Sequence, residues 1–192
     1  MYTPRDFSIP ELKGISNDTI QEHMGLYHGY VKNTNSILEQ LEQGDIDDYH
    51  QAELYRRFSF EFNGMKNHEF YFNDLEGGAQ ELSLDAPLMR AIEEEWGSFD
   101  VWRDAFMKLA KTRGIGWAIL SYDASADRLM IHWVDEQHLG HLNSNDYIFG
   151  IDMWEHAFVA DYQPSGKGQY IEDYMSQVNW ENINERFTRA QK

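Results

Sequence analysis

The 192-residue chain contains no cysteine. That excludes disulfides and every thiolate-held metal, zinc ribbons and iron–sulfur clusters among them. It is compatible with the cytoplasm, where this reading places the chain. No stretch approaches the roughly 18 consecutive apolar residues that cross a bilayer. The opening MYTPRDFSIPELKG lacks the apolar segment of a secretory signal. Positive charge is scarce: 16 Lys and Arg stand against 33 Asp and Glu, a formal net charge of −17. A nucleic-acid partner needs a basic face to displace counterions from phosphates, and an anionic membrane needs the same, so neither is expected. The overall field also repels anionic substrates, so attraction of one would have to be local.

Apolar residues make up 42% of the chain and aromatics 15%, enough for a sizeable core. Residues 1–15 read as an irregular arm broken by Pro4 and Pro10. A helix is predicted from about Asn17, with a capping box at Asp18 and Gln21, to Gln43, closed by Gly44-Asp45. A second runs from about Asp47 to Phe62, is interrupted at Asn63-Gly64, and resumes through HEFYF to a loop at Gly77-Gly78. Helices follow over 86–96 and 98–111. Then come strands over 116–123 and 128–135, joined as a hairpin, a third strand over 147–154 leading into a helix, and helices near 167–177 and 180–188. Helices followed by a small antiparallel sheet indicate an α+β protein. Its predicted parts are a long-helix hairpin domain over 1–78 and an α/β domain over 79–192.

Eight histidines are available for chemistry. His23 shares a helix face with Tyr27 and Tyr30, a face otherwise apolar with Leu26 and Val31, and a core-facing imidazole needs a partner. His28 points away from that face. His68 sits among Phe70, Tyr71 and Phe72; Phe72 stands where a zinc protease would need its second histidine, so that motif fails. In GIDMWEHAF, Asp152 and His156 are four residues apart and face one way if the segment turns helical. A buried carboxylate needs a cation or donors. Three imidazoles and one carboxylate suit manganese, iron or zinc, and these ligand types alone do not decide among them.

The segments IQEHMGLYHGYVKNTN (20–35), FNGMKNHEFYF (62–72), GSFDVWRDAF (97–106), GIGWAIL (114–120), GIDMWEHAF (150–158) and YIEDYMSQVNWENINERF (170–187) together resemble the iron/manganese superoxide dismutase family. The resemblance implies a helical hairpin plus an α/β domain with a three-stranded antiparallel sheet. It implies one manganese or iron ion held by His23 and His68 from the first domain and Asp152 and His156 from the second. The implied activity converts superoxide to dioxygen and hydrogen peroxide; the alternative is a non-catalytic relative that kept the fold as a metal-binding or interaction protein. It further implies that Gln137 in DEQHLGHL and Tyr30 act beside the metal, that Trp117 and Trp154 wall the pocket, and that the chain forms a homodimer with Glu155 and His156 at the interface. Gly64 stands where iron members carry an amide, and Gln137 supplies it instead, a pattern similar to the manganese enzymes. The chain departs from the family at Tyr27 and Val159, which replace a histidine and a tyrosine paired across the dimer. The interval from His23 to Tyr30 is one residue short, and only Lys167 stands near the place of a substrate-steering arginine.

Overall fold

Ser16 starts the first helix: its hydroxyl accepts from the Thr19 N–H at 3.2 Å. The computed structural model describes residues 1–192, and in it α1 runs Asn17–Gln43 and ends on Gly44 in the left-handed conformation. Asp18 thus lies inside the first turn instead of capping it. α2 spans Asp48–Leu75, capped by the Asp47 side chain on the His50 N–H. It is continuous, contrary to the break expected at Asn63-Gly64. The Asn63 side chain bonds back to the Ser59 carbonyl at 2.7 Å within the helix, and Gly64 is kept helical by its neighbours. The two helices form the expected hairpin, burying Tyr27, Val31, Met65, Tyr71 and Phe72; each such side chain stabilises by roughly 1.5–3 kcal/mol. Leu26, assigned to that face by sequence, is solvent-exposed.

α3 (Pro87–Trp96) and α4 (Phe99–Ala110) precede the sheet, with Pro87 at the first turn of α3 and Ser98 capping α4. β1 (Gly116–Asp123), β2 (Arg128–Asp135) and β3 (Asp146–Asp152) form a three-stranded antiparallel sheet in the order β2-β1-β3. β1 is central and buried along nearly its whole length, while β2, at the edge, is buried at only two positions. Trp117 pairs with Val134 on one side and Asp152 on the other, and directly paired residues project to the same face. That register aims the Asp152 carboxylate and the Trp117 indole toward the hairpin. After β3 come a 3₁₀ turn (Glu155–Ala157), α5 (Val159–Tyr162), α6 (Lys167–Met175) and α7 (Trp180–Ala190).

Two features join the hairpin to the rest. Arg186 of α7 is buried, donates to the Ile148 carbonyl at 2.6 Å and the Asn73 side chain at 2.7 Å, and lies 2.8 Å from Asp74. The arm before α1 has no regular structure yet is pinned along its length. Tyr2 exchanges two bonds with Asn35, the Arg5 N–H donates to the Tyr27 hydroxyl, Gly77 N–H donates to Ser8 O, and Lys13 bonds Gln177 through its N–H and carbonyl. No helix is long and apolar enough to cross a membrane.

Candidate metal centre

Four side chains from α1, α2, the end of β3 and the 3₁₀ turn converge between the hairpin and the sheet. One donor atom from each of His23, His68, Asp152 and His156 lies within 4.8 Å of all the others. His23 Nε2 and His156 Nε2 are both 3.1 Å from Asp152 Oδ2, and His68 Nε2 is 3.6 Å from it. Bonds of about 2.1 Å at angles between 90° and 120° put neighbouring donors about 3.0–3.6 Å apart, so the spacing fits one first-row ion. His68 Nδ1 donates to the Gly64 carbonyl at 2.6 Å. A carbonyl can only accept, so the lone pair of His68 is on Nε2, and that buried nitrogen has no hydrogen-bond partner.

The electrostatics point the same way. Burial lowers the pKa of His23 and takes that of His68 down to about 3, so both imidazoles are neutral near pH 7 and can offer lone pairs. Burial would raise the Asp152 carboxyl, but the His156 and His23 imidazoles overcome it and hold the group well below the usual carboxylate range. Asp152 is fully buried and forms no ion pair with a lysine or arginine. A carboxylate in that setting needs a cation or hydrogen-bond donors, and a bound cation would satisfy it. Its remaining acceptors are engaged: Oδ1 accepts from the Trp154 N–H at 2.8 Å and its main-chain carbonyl from Tyr170 at 3.0 Å. Asp152 and His156 do face one way, through the end of a strand and a 3₁₀ turn; no α-helix carries them.

Gln137 lies fully buried beside the cluster. Its Oε1 accepts from Trp117 Nε1 at 2.9 Å and its Nε2 donates to the Tyr30 hydroxyl at 3.0 Å. An indole only donates, so the bond from Trp117 fixes which end of the amide faces Tyr30. Burial, then the Asp152 charge, raises the Tyr30 pKa far above its ordinary value and keeps the phenol protonated. Trp117 packs edge-on to His68 at 5.2 Å, and Trp154 stacks on His156 at 5.8 Å. The shortened interval from His23 to Tyr30 therefore still brings both to the site. The Tyr30 ring lies against Gly64, where an added Cβ would come within 2.5 Å of it.

Other residues fall elsewhere. Tyr27 is buried, but its hydroxyl is tied to the Arg5 N–H and Glu69. The Lys167 ammonium donates to the Thr112 carbonyl at 2.7 Å. Sequence reasoning missed Asn67 and His141, which donate to the Gln137 carbonyl, and Tyr170. Asn67 had one available signal, its place directly before His68; the other two had none.

Residues 9–76 match the family model described as the alpha-hairpin domain of iron/manganese superoxide dismutases, and residues 84–186 match the C-terminal domain. A superoxide dismutase of Aquifex aeolicus (strain VF5), named as the iron form, is 33% identical over 199 residues, covering 98% of this chain and 92% of its own. One from Pyrobaculum aerophilum, also named as the iron form, is 30% identical over 99% of this chain and 96% of its own. A mitochondrial one from Glossina morsitans morsitans, named as the manganese form, is 31% identical over 92% and 82%.

Proposed function

The chain belongs to the iron/manganese superoxide dismutase family, and from that premise we propose that it dismutates superoxide at His23, His68, Asp152 and His156. The observation that carries this reading is the convergence of three imidazole nitrogens on one fully buried carboxylate oxygen. When bound there, a manganese or iron ion would supply one-electron exchange, one superoxide giving up an electron as dioxygen and a second accepting one electron and two protons, drawn from solvent and the site's donors, to become hydrogen peroxide.

The chain's own residues do the rest. Asp152 brings one negative charge to a dry site, which lowers the net charge of both oxidation states of a cation and favours the higher one. Trp117 and Trp154 exclude water. Trp117 holds the Gln137 amide, and the amide holds the Tyr30 hydroxyl, so a phenolic proton is kept at a fixed atom beside the donors. That proton is available to a reduced, basic substrate oxygen. A diatomic substrate needs no large cavity, and the largest surface groove, about 600 Å³ along α3 and β2, contains none of these residues.

We further propose manganese as the ion, because the amide arrives from Gln137 while Gly64 leaves its alternative place empty of side chain. The same reading divides the chain into 1–78 and 79–192, each giving two donors, and locates it in the cytoplasm. It pairs two copies through Glu155 and His156. Glu155 is exposed and the His156 side chain keeps 22% exposure, the most open of the four donors, which a second copy would cover. The presence of all four donors weighs against a non-catalytic relative. Elemental analysis, superoxide consumption and sedimentation on one sample test the whole. One ion per chain, activity in the manganese-reconstituted protein and a dimer mass are expected. Activity without bound metal, or unchanged activity in His156→Ala, would overturn the mechanism.

A further inference from the structure

Five histidines lie outside the donor set. His28 and His50 are solvent-exposed. His132, His138 and His141 fall together on β2 and the loop after it, behind Gln137. Resting on the reading above, we propose that His141 is a positioning residue for Gln137, holding its main chain so that the side-chain amide stays between Trp117 and Tyr30.

The Gln137 carbonyl accepts from two side chains, Asn67 Nδ2 at 3.1 Å and His141 Nε2 at 3.2 Å. Because a carbonyl can only accept, His141 carries its proton on Nε2. Burial lowers the pKa of His141, so the neutral ring is the working form near pH 7. Asn67 comes from α2 immediately before His68, whereas His141 comes from the loop itself. The carbonyl is thus the point where the loop is clamped to the helix that supplies a metal donor.

The loop is built to make this contact. Glu136, directly before Gln137, has φ of 52°, a conformation a non-glycine residue holds only when its surroundings enforce it. Asp135 and Leu139 exchange main-chain bonds at 2.8 and 3.1 Å, closing a tight turn around Gln137. Gly140 then has φ of 108°, and a Cβ there would stand 2.9 Å from the Trp133 carbonyl. Only glycine lets the chain fold back at that point and bring His141 beneath Gln137. On its far side His141 lines a cavity of about 20 Å³ with Ser121, His132, Asn145 and Tyr147, so its ring is held in a polar niche of the sheet.

Losing His141 leaves the carbonyl still bonded to Asn67, so the variant should fold and keep its donors. What is lost is one of two restraints on Gln137. The test compares His141→Leu with His141→Gln, whose amide can donate to the same carbonyl. In the metal-loaded enzyme, metal content, dismutation rate and the midpoint potential of the ion are measured. In the metal-free full chain, the indole N–H resonance of Trp117, assigned by Trp117→Phe, reports its bond to Gln137. His141→Leu is expected to shift the indole resonance and the potential, and to slow dismutation about fivefold at unchanged metal content, the scale of one lost hydrogen bond. His141→Gln is expected to restore all of them. An unmoved indole resonance and potential in His141→Leu, or equal loss of metal from both variants, would overturn the proposal. A wild-type chain that neither binds metal nor dismutates would sink the functional reading instead, and the indole resonance would still decide the role of His141.

Discussion

Gly64→Ala sets two opposing effects against each other. In the middle of a helix, alanine is favoured over glycine by about 0.8–1 kcal/mol. Here, however, the new methyl would stand 2.5 and 2.6 Å from the Tyr30 ring carbons Cδ1 and Cε1. Carbon–carbon contact requires about 3.5 Å, so the ring must retreat by about 1 Å. It has little room, being packed against Phe60 and His68 at 6.0 and 5.0 Å between ring centres. Overpacking of this kind costs about 1–3 kcal/mol, leaving a net loss of up to about 2 kcal/mol, or up to about 8 °C in melting temperature at this chain length. The same retreat stretches the 3.0 Å bond from Gln137 to the Tyr30 hydroxyl beyond hydrogen-bond range. Dismutation is therefore expected to fall about tenfold while metal stays bound. A double-mutant cycle isolates the cause: in a Tyr30→Ala background, Gly64→Ala should stabilise by about 1 kcal/mol, reversing its sign. Melting curves for the four proteins decide the matter. If Gly64→Ala alone melts at or above the wild-type temperature with an unchanged rate, the Tyr30 ring does not rest on Gly64.

Two further outcomes follow from burial. His23 and His68 stay neutral in the folded chain, with His68 down at about 3, whereas the unfolded chain protonates them near 6.5. Below 6.5 the unfolded state binds more protons, so the metal-free chain should lose about 1.4 kcal/mol per pH unit through His68 as pH falls toward about 4, and His23 adds a loss of the same sign. Asp152, held low, adds a stabilisation that is constant across that window and wanes only beneath about 3.8. A urea midpoint that stays level from pH 7 to 5 would contradict this. Arg186→Ala should destabilise by about 3–5 kcal/mol, because it strands the buried Asp74 and frees the Ile148 carbonyl. A guanidinium melt showing less than about 1 kcal/mol would mean that α7 is held to α2 by apolar contact alone.

The strands were legible because their signal is local. GWAILSYD and RLMIHWVD are bounded by glycine and a short polar turn, and β1 and β2 occupy those residues. The donor set was legible through the order and content of the family segments. The errors share a cause, the overriding of local preference by tertiary contact. Asn63-Gly64 reads as a breaker, yet the helix passes through it because the glycine makes room for a ring from α1. Asp18 and Gln21 have a capping pattern, yet Ser16 caps, and the Asp161 carboxylate accepts from both the Ser16 N–H and the Thr19 hydroxyl. His141 and Tyr170 reach the site from loop and helix positions that carry no periodic signal, so only the folded arrangement reveals them.

The irregular arm has a consequence for the order in which the chain can assemble during synthesis. Lys13 is bonded to Gln177, 164 positions later, and Ser16 to Asp161, 145 positions later. Lys13 and Ser16 therefore wait for partners 164 and 145 positions later before their seat exists. At about 5–20 residues per second that is a delay of roughly 7–30 s, during which this end of the arm lacks its partners while the hairpin, and the earlier part of the arm bonded to it, can already form.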